Sequence, residues 1–184
     1  MNPWQLPRQA QFGDEIYPID ADFRNMLHII AVLQRDDDPL FLRWYVACGL
    51  FYCRPVPDEY LPQAARFLAD FLKAGAPEPQ NGESLLDWQA DADLIVADIN
   101  KAAGQEIRSL PFVHWWTFLG WFHAIGQGQL ATVVSIRQKL RRGKKLEDWE
   151  REFYRENKAR IDRRPALDAD ALAQKARLQA LLGD

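Results

Sequence analysis

Residues 110–126, with the sequence LPFVHWWTFLGWFHAIG, constrain the fold of this chain more than any other segment. Six of the eleven positions from Phe112 to Phe122 are aromatic, and they include three of the chain's seven tryptophans. Because burial of one such side chain contributes roughly 1.5–3 kcal/mol, the segment predicts a helix at the centre of the fold. Pro111 suits the first turn of that helix and Gly126 its C-terminal end. The candidate core residues are Phe112, Trp115, Trp116, Phe118, Leu119, Trp121 and Phe122.

Most of the remaining chain has apolar residues at helical spacing, interrupted by prolines and glycines. The expected helices cover about residues 21–33, 39–52, 58–73, 85–103, 110–126, 129–142, 146–161 and 168–182. Apolar and polar residues alternate only near the N-terminus, where Gly13-Asp14 is a typical hairpin turn. The sequence therefore predicts a mainly α fold, a compact bundle of about seven to eight helices with a small N-terminal β-hairpin at about residues 9–19.

The length of 184 residues is enough for one domain with its own core. We expect a single helical domain over residues 1–164. Arg163-Arg164-Pro165 then predicts a hinge, because proline cannot continue a helix. Residues 165–184 are predicted to form an amphipathic C-terminal helical tail.

Composition excludes several classes of protein. The apolar fraction of 48% and the charged fraction of 27% are ordinary for a globular chain and argue against disorder. The N-terminal residues MNPWQLPRQA lack the basic and apolar regions of a signal peptide. The most apolar stretch is shorter than the ~20 residues that a membrane span needs. Cys48 and Cys53 are badly spaced for a disulfide within a helix, so we expect two buried thiols in a reducing cytoplasm.

Charge is unevenly distributed along the chain. Residues 1–126 have 9 basic and 17 acidic side chains, whereas residues 127–164 have 12 basic and 6 acidic ones. This polarity favours head-to-tail self-association or an oppositely charged partner. The alternative is that the two parts neutralise each other within one fold.

No motif of catalysis or of metal binding is present. His114 and His123 are predicted on opposite faces of one helix, and no pair of histidines or cysteines has metal-ligand spacing. Asp87, Asp91 and Asp98 share a face of their predicted helix, which suits either a hard cation or simple solvation. Without histidine or glycine partners, solvation is the preferred interpretation. We therefore predict a protein that is not an enzyme and has no cofactor and no metal.

The segment RQKLRRGKK, residues 137–145, has six basic residues in nine. Clustered lysine and arginine side chains can neutralise nucleic-acid phosphates. However, an acidic segment follows directly and no DNA-reading motif is present, so a solvated or partner-facing patch is the preferred interpretation. The predicted partner-binding residues are Arg137, Lys139, Arg141, Arg142, Lys144, Lys145, Leu178 and Leu182.

Three pieces of sequence resemble blocks of one known family. The first, YPIDADFR (17–24), enters a helix through an Ile-Asp-x-Asp-Phe-Arg signature. The second, DWQADADLIVADIN (87–100), has an acidic residue ahead of Ile-x-Ala-x-Ile. The third joins a His-Trp-Trp-x-Phe block in residues 110–122 to an Ile-Arg-x-x-Leu block in residues 136–145. On these blocks, about residues 10–160 resemble the bacteriophage gene-product-fifteen family of small tail-morphogenesis proteins.

The resemblance implies a role in tail assembly. Members of that family are encoded in the tail gene cluster of long-tailed phages and prophages, near the tape-measure gene. This implies a tail assembly chaperone that acts in the bacterial host cytoplasm, forms homo-oligomers, and binds the tape-measure protein and the tail tube protein. The resemblance includes no catalytic residues. The alternative functions are a structural virion component, such as a completion or connector subunit, and a nucleic-acid-binding phage regulator.

Overall fold

The computed structural model describes residues 4–35, 37–74 and 85–162. In these residues two strands, β1 (Gln9–Phe12) and β2 (Glu15–Pro18), precede eight helices. The helices are α1 (Phe23–Leu33), α2 (Leu40–Phe51), α3 (Leu61–Leu72), α4 (Ala92–Ala103), α5 (Trp115–His123), α6 (Gln129–Arg141), α7 (Asp148–Glu156) and α8 (Lys158–Ile161). The prediction of a mainly α fold with a small N-terminal hairpin is thus confirmed. The predicted C-terminal tail lies outside the described residues.

The chain divides into two compact units. The single domain expected over residues 1–164 stays a prediction. The first unit comprises Met1–Gly82 and Val96–Ile125. The second comprises Glu83–Ile95 and Gly126–Asp184. Helix α4 begins in the second unit and ends in the first.

The hairpin is antiparallel and turns at Gly13-Asp14, as the sequence predicts. Gly13 has a φ of +58°, a left-handed conformation that favours glycine. A Cβ at this position would lie 2.8 Å from the hydroxyl oxygen of Tyr60. The residue is therefore glycine for two reasons, its backbone angle and the nearby tyrosine. Phe12 and Tyr17 are buried and attach the hairpin to the first unit.

The core of the first unit lies among α1, α2, α3 and α5. Helix α1 packs on both α2 and α5, and α3 packs on α2 and on β1. The rings of Phe23 and Phe118 stack with their centres 4.7 Å apart, which joins α1 to α5. Its largest fully buried side chains are Tyr17, Met26, Ile29, Phe51, Leu68, Phe71, Ile99, Ile107, Trp115 and Phe118.

The aromatic segment is less central than predicted. Its helix begins at Trp115, and Trp115, Phe118 and Leu119 are buried. Phe112 is not a core residue, because its side chain is 43% exposed. It lies in an extended segment where the neighbouring Val113 faces inward, and alternate residues of extended chain face opposite sides. The other three predicted core residues, Trp116, Trp121 and Phe122, are half-buried.

Several helix boundaries differ from the prediction because side chains hold turns beside them. Helix α1 begins at Phe23 rather than near residue 21, because Asp22 caps it by accepting from the backbone N–H of Arg24 at 3.0 Å. Helix α4 begins at Ala92 rather than near residue 85, because the Asp87 carboxylate accepts from two backbone N–H groups in a preceding turn. The helix predicted over residues 146–161 ends at Glu156 and restarts at Lys158.

The second unit includes α6, α7 and α8. Leu130, Val133 and Ile136 of α6 are buried and fall on one face of the helix. Ile161 of α8 is also buried, and α8 packs on both α6 and α7. Helix α7 begins with a capping box in which Glu147 and Glu150 each accept from the other's backbone N–H.

Candidate partner-binding surfaces

Helix α2, with the sequence LFLRWYVACGLF, has a single charged residue, Arg43. One side of the helix buries Ala47, Cys48 and Phe51 against the first unit. The rest of the helix, its first turn included, presents large apolar side chains to solvent. This surface, which we call the α2 face, consists of Leu40, Phe41, Leu42, Tyr45 and Val46.

The side chains of the α2 face are unusually exposed for apolar residues. The side chain of Phe41 is 74% exposed and that of Tyr45 is 58% exposed. Single exposed apolar residues are common, whereas several large apolar side chains exposed on one helix are typical of an interaction surface. A helix that is apolar on all sides is expected to be buried on most of them. Among the described residues, α2 is covered on one side only.

A groove of about 350 Å³ continues the α2 face at the C-terminal end of the helix. Tyr45 belongs to both surfaces, and Gly49 lies one helical turn further along. A Cβ added to Gly49 would meet no heavy atom within 4 Å, so the glycine leaves the floor of the groove open. Val56 of the following loop and Leu61, the first residue of α3, belong to the other wall.

The two cysteines of the chain differ in exposure. Cys48 is buried, and burial raises the pKa of its thiol to about 11. Cys53 is exposed and lines the groove. The expectation of two buried thiols is therefore wrong for Cys53, because α2 ends at Phe51 and the chain leaves the helix in an extended conformation. The groove thus contains one accessible thiol.

Carboxylates border this apolar surface at both ends. Asp37 and Asp38 directly precede α2, and Asp58 and Glu59 lie between the groove residues Val56 and Leu61. Ion pairs are seen for none of the four acidic side chains in the part of the chain that the structure describes.

Arg54 and Arg43, which lie in the groove and in α2, are already engaged. Arg54 pairs with Glu15 at 2.7 Å and lies 4.0 Å from the ring centre of Tyr17. Arg43 donates to the backbone carbonyl of Leu33 at 2.8 Å. The α2 face and its groove therefore form an apolar surface with an acidic border.

The structure assigns Arg137 to the interior of the second unit, not to a partner-binding surface. Its guanidinium forms a bidentate ion pair with Asp91, with nitrogen–oxygen distances of 2.6 and 3.0 Å. The remaining N–H groups donate to the backbone carbonyls of Leu85, Arg160 and Ile161. The side chains of Arg137 and Asp91 are only 12% and 0% exposed. The prediction of Arg137 as a partner-binding residue is corrected accordingly.

Lys139 is also largely used within the second unit. Its ammonium group lies 2.7 Å from both carboxylate oxygens of the buried Glu150. Hydrogen bonds from Lys139 lower the pKa of Glu150 below its ordinary value. Because a buried carboxylate needs a partner, the main role of Lys139 is to pair with Glu150 rather than to bind another protein.

The other predicted basic residues are exposed at the C-terminal end of α6. This group, which we call the α6 basic end, consists of Arg141, Arg142, Lys144 and Lys145. Gly143, with a φ of +62°, ends the helix there. Cations at a helix C-terminus are favoured by the helix dipole, so part of this cluster has a structural explanation. Leu178 and Leu182 lie outside the described residues.

The sequence blocks that carry the family resemblance meet one another. Asp22 accepts from the backbone N–H of Val113 at 3.0 Å, and the chain segments at Asp22 and His114 form an antiparallel bridge. Arg24 donates to three backbone carbonyls near residues 107–110. The first block and the His-Trp-Trp block are thus one structural unit. The ion pair of Asp91 with Arg137 joins the second block to the Ile-Arg block in the same way.

The two neighbouring tryptophans of the third block close the end of α3. The indole N–H of Trp115 donates to the carbonyl of Leu72, and that of Trp116 to the carbonyl of Phe71, both at 2.9 Å. The last carbonyls of a helix have no partner within the helix. These tryptophans are therefore structural, and the sequence contains no local signal for this long-range contact.

The described residues offer no site for metal chemistry. Over residues 4–35, 37–74 and 85–162, no three His, Cys, Asp or Glu side chains are grouped to hold an ion. Of the aspartates considered from the sequence, Asp91 pairs with Arg137 and Asp87 holds the turn before α4. In the same residues, no helix is both long and apolar enough to cross a membrane.

Comparison with known proteins gives no relative. No protein-family model matches the chain, and neither the curated proteins nor the solved structures contain a match.

Proposed function

We propose that this protein is a tail assembly chaperone of a tailed phage or prophage. In this role it would bind the tape-measure protein and self-associate during tail morphogenesis. The observation that carries the proposal is the α2 face, which offers five exposed apolar side chains and an adjoining groove. The resemblance of about residues 10–160 to the gene-product-fifteen family supplies the biological setting.

The proposed task matches the chemistry of this surface. A chaperone that holds a long helical polypeptide needs apolar anchors that remain accessible in its own folded state. Phe41 and Tyr45 are aromatic anchors of this kind, and Arg43 stays engaged with the protein's own backbone. Binding of this sort makes and breaks no covalent bond, so it requires no catalytic group.

Co-expression with the tape-measure protein encoded beside it tests the proposal. We expect the two proteins to co-purify, and we expect purified virions to lack this protein. Mass spectrometry of finished particles distinguishes a chaperone, which is absent from the virion, from a structural tail component, which is present. Presence in the virion without binding to the tape-measure protein would identify a structural tail component and reject the chaperone.

The nucleic-acid alternative depends on the α6 basic end. Binding of DNA by this group would weaken steeply as salt is raised, because released counterions supply most of such affinity. Replacement of Arg141 and Arg142 by glutamate would then abolish the shift in DNA mobility in a gel-binding assay. We expect no shift with the original protein, since the neighbouring Arg137 and Lys139 pair with Asp91 and Glu150 instead.

A further inference from the structure

We propose that the α2 face and its groove bind an amphipathic α-helix whose apolar stripe is flanked by lysine or arginine side chains. The inference deepens the proposed function and rests on it, because it names the kind of segment that the partner must supply. Its basis is the shape of the surface and the sign of the charge around it.

The shape suits a helix. Phe41, Tyr45 and Gly49 follow one another at intervals of four residues, which is about one helical turn each. They form an open row in which two aromatic side chains are followed by a position without a side chain. Because Gly49 has open space above it, a bulky apolar residue of the partner can enter the groove there. Helices that dock in this way use residues at i, i+3, i+4 and i+7.

The charge selects among amphipathic helices. Asp37 and Asp38 lie at one end of the surface, and Asp58 and Glu59 lie at the other. Arg54, the cation in the groove, is paired with Glu15. A docked helix therefore meets an acidic border, which favours flanking lysine or arginine and disfavours flanking carboxylates.

The same charges argue against a second copy of this chain on the α2 face. In a two-fold symmetric pair, each surface would meet an identical one. The carboxylates at the ends of one copy would then face those of the other. Such like-charge contacts are destabilising, so a separate basic partner is the better occupant.

Cys53 provides a direct readout. It is exposed in the groove, whereas Cys48 is buried with a raised pKa, and the chain has two cysteines in all. A docked helix shields Cys53 from alkylation by a maleimide. The probe is a synthetic helical peptide of roughly 18 residues, five turns, with a leucine stripe and lysine flanks. A second peptide keeps the stripe and has glutamate flanks.

We expect the lysine-flanked peptide to slow alkylation of Cys53 and the glutamate-flanked peptide to bind at least about tenfold more weakly. Asp58→Asn combined with Glu59→Gln is expected to weaken binding of the lysine-flanked peptide roughly three- to tenfold. The peptide with glutamate flanks should gain affinity for the same variant. Equal binding of the two peptides to the original protein would overturn the inference.

Two glycines provide a matched pair of variants for fluorescence anisotropy. Gly49→Arg places a long cation in the groove, and Gly120→Arg makes the same change on α5, where a Cβ also meets nothing within 4 Å. Both glycines lie within helices of the first unit. Arginine has a higher helix propensity than glycine, so neither substitution should disrupt its helix. We expect Gly49→Arg to weaken binding of the lysine-flanked peptide at least about tenfold and Gly120→Arg to leave it within about twofold. Equal losses would place the peptide elsewhere and overturn the inference.

The failure of this inference is separable from that of the proposed function. If Gly49→Arg still co-purifies with the tape-measure protein, the α2 face is not the docking site, although the chaperone proposal stands. If the tape-measure protein never co-purifies but the lysine-flanked peptide protects Cys53, the chaperone proposal fails and the inference stands. A concentration-dependent dimer that Gly49→Arg abolishes would show a second copy on the α2 face and overturn the inference.

Discussion

Arg137 shows how one side chain can hold distant segments of a unit together. A guanidinium has five N–H donors in a fixed plane. Here all five are used, by the two carboxylate oxygens of Asp91 and by three backbone carbonyls, those of Leu85, Arg160 and Ile161. Lysine cannot replace this geometry, because its ammonium has three donors and no planar fork. The buried carboxylate of Asp91 forms a bidentate ion pair with this guanidinium.

We predict that Arg137→Met lowers the free energy of unfolding by about 3–5 kcal/mol, because it removes the bidentate ion-pair partner of the buried Asp91 carboxylate. Arg137→Lys should lose a large part of the same free energy. Urea denaturation followed by circular dichroism measures both. The control is Arg142→Met, an exposed residue of the α6 basic end, which should stay within about 0.5 kcal/mol. Similar losses at the two positions would contradict the structural role of Arg137.

His114 has a role at the start of α5 that depends on its protonation. Its Nδ1 accepts from the backbone N–H of Trp116 at 3.1 Å and caps the helix. The other ring nitrogen, Nε2, lies 2.9 Å from the carbonyl of Pro7 and carries the proton. Protonation of Nδ1 would remove the cap. Burial accordingly lowers the pKa of His114 from its ordinary value of 6.5.

We predict that the free energy of unfolding falls as pH is lowered from about 7.5 to about 5.5. In this range the unfolded chain takes up a proton at His114 before the folded protein does, so protons favour unfolding. His114→Asn keeps a good helix cap without a titrating group and should flatten this dependence. Urea titrations at several pH values provide the measurement. His123→Asn, at the exposed end of α5, should keep the original slope, and a flattened slope in that control would contradict the assignment.

At the scale of elements, local sequence signals predict the hairpin and the number of helices well. Gly13-Asp14 suffices for the hairpin because a two-residue turn sets its own register. The predicted start of α5 is wrong because the observed start depends on contacts far away in sequence. His114 caps α5 while held by Pro7, and Asp22 binds the backbone just before that helix. These contacts cannot be predicted from the pattern of apolar residues near position 114.

The candidate site, too, depends on long-range contacts that the sequence does not reveal. The sequence directs attention to the basic segment 137–145, but Arg137 and Lys139 pair with acids that are distant or follow a loop. The α2 face could not be predicted, because a helix that is apolar all round is indistinguishable in sequence from a core helix. For Phe112 the error is the reverse: the sequence predicts a core residue, but the side chain is exposed because the neighbouring Val113 faces inward.

One glycine inside α2 and one just after the end of α6 provide a test of the helix assignments. Gly49 lies inside α2 with open space around a Cβ, so Gly49→Ala should raise the free energy of unfolding by about 0.5–1 kcal/mol. Gly143 also has open space, but its φ of +62° disfavours any side chain. Gly143→Ala should therefore lower the free energy of unfolding by about 1 kcal/mol. Thermal and urea denaturation measure both changes, and two changes of the same sign would contradict the assigned helix end.

At the scale of the whole molecule, the division into units changes the meaning of the charge pattern. By unit, the first has 9 basic and 13 acidic residues, and the second has 14 basic and 13 acidic ones. The polarity along the sequence is thus reduced, because acidic residues before α4 belong with the basic segment. Asp91 and Asp93 pair there with Arg137 and Arg160. This favours neutralisation within the fold over head-to-tail attraction as the reason for the pattern.

The paired sequence blocks predict that the two units open separately. One pair of blocks, joined through Asp22, lies in the first unit. The other pair is joined through Asp91 and Arg137, and both of these residues lie in the second unit. Arg137→Met should therefore raise amide hydrogen exchange in α6, α7 and α8 while leaving α1 and α3 protected. Ile29→Ala, which opens a cavity in the core of the first unit, should do the reverse. Mass spectrometry of peptic fragments measures both patterns, and increased exchange throughout the chain in both variants would show instead that the protein unfolds as one cooperative body.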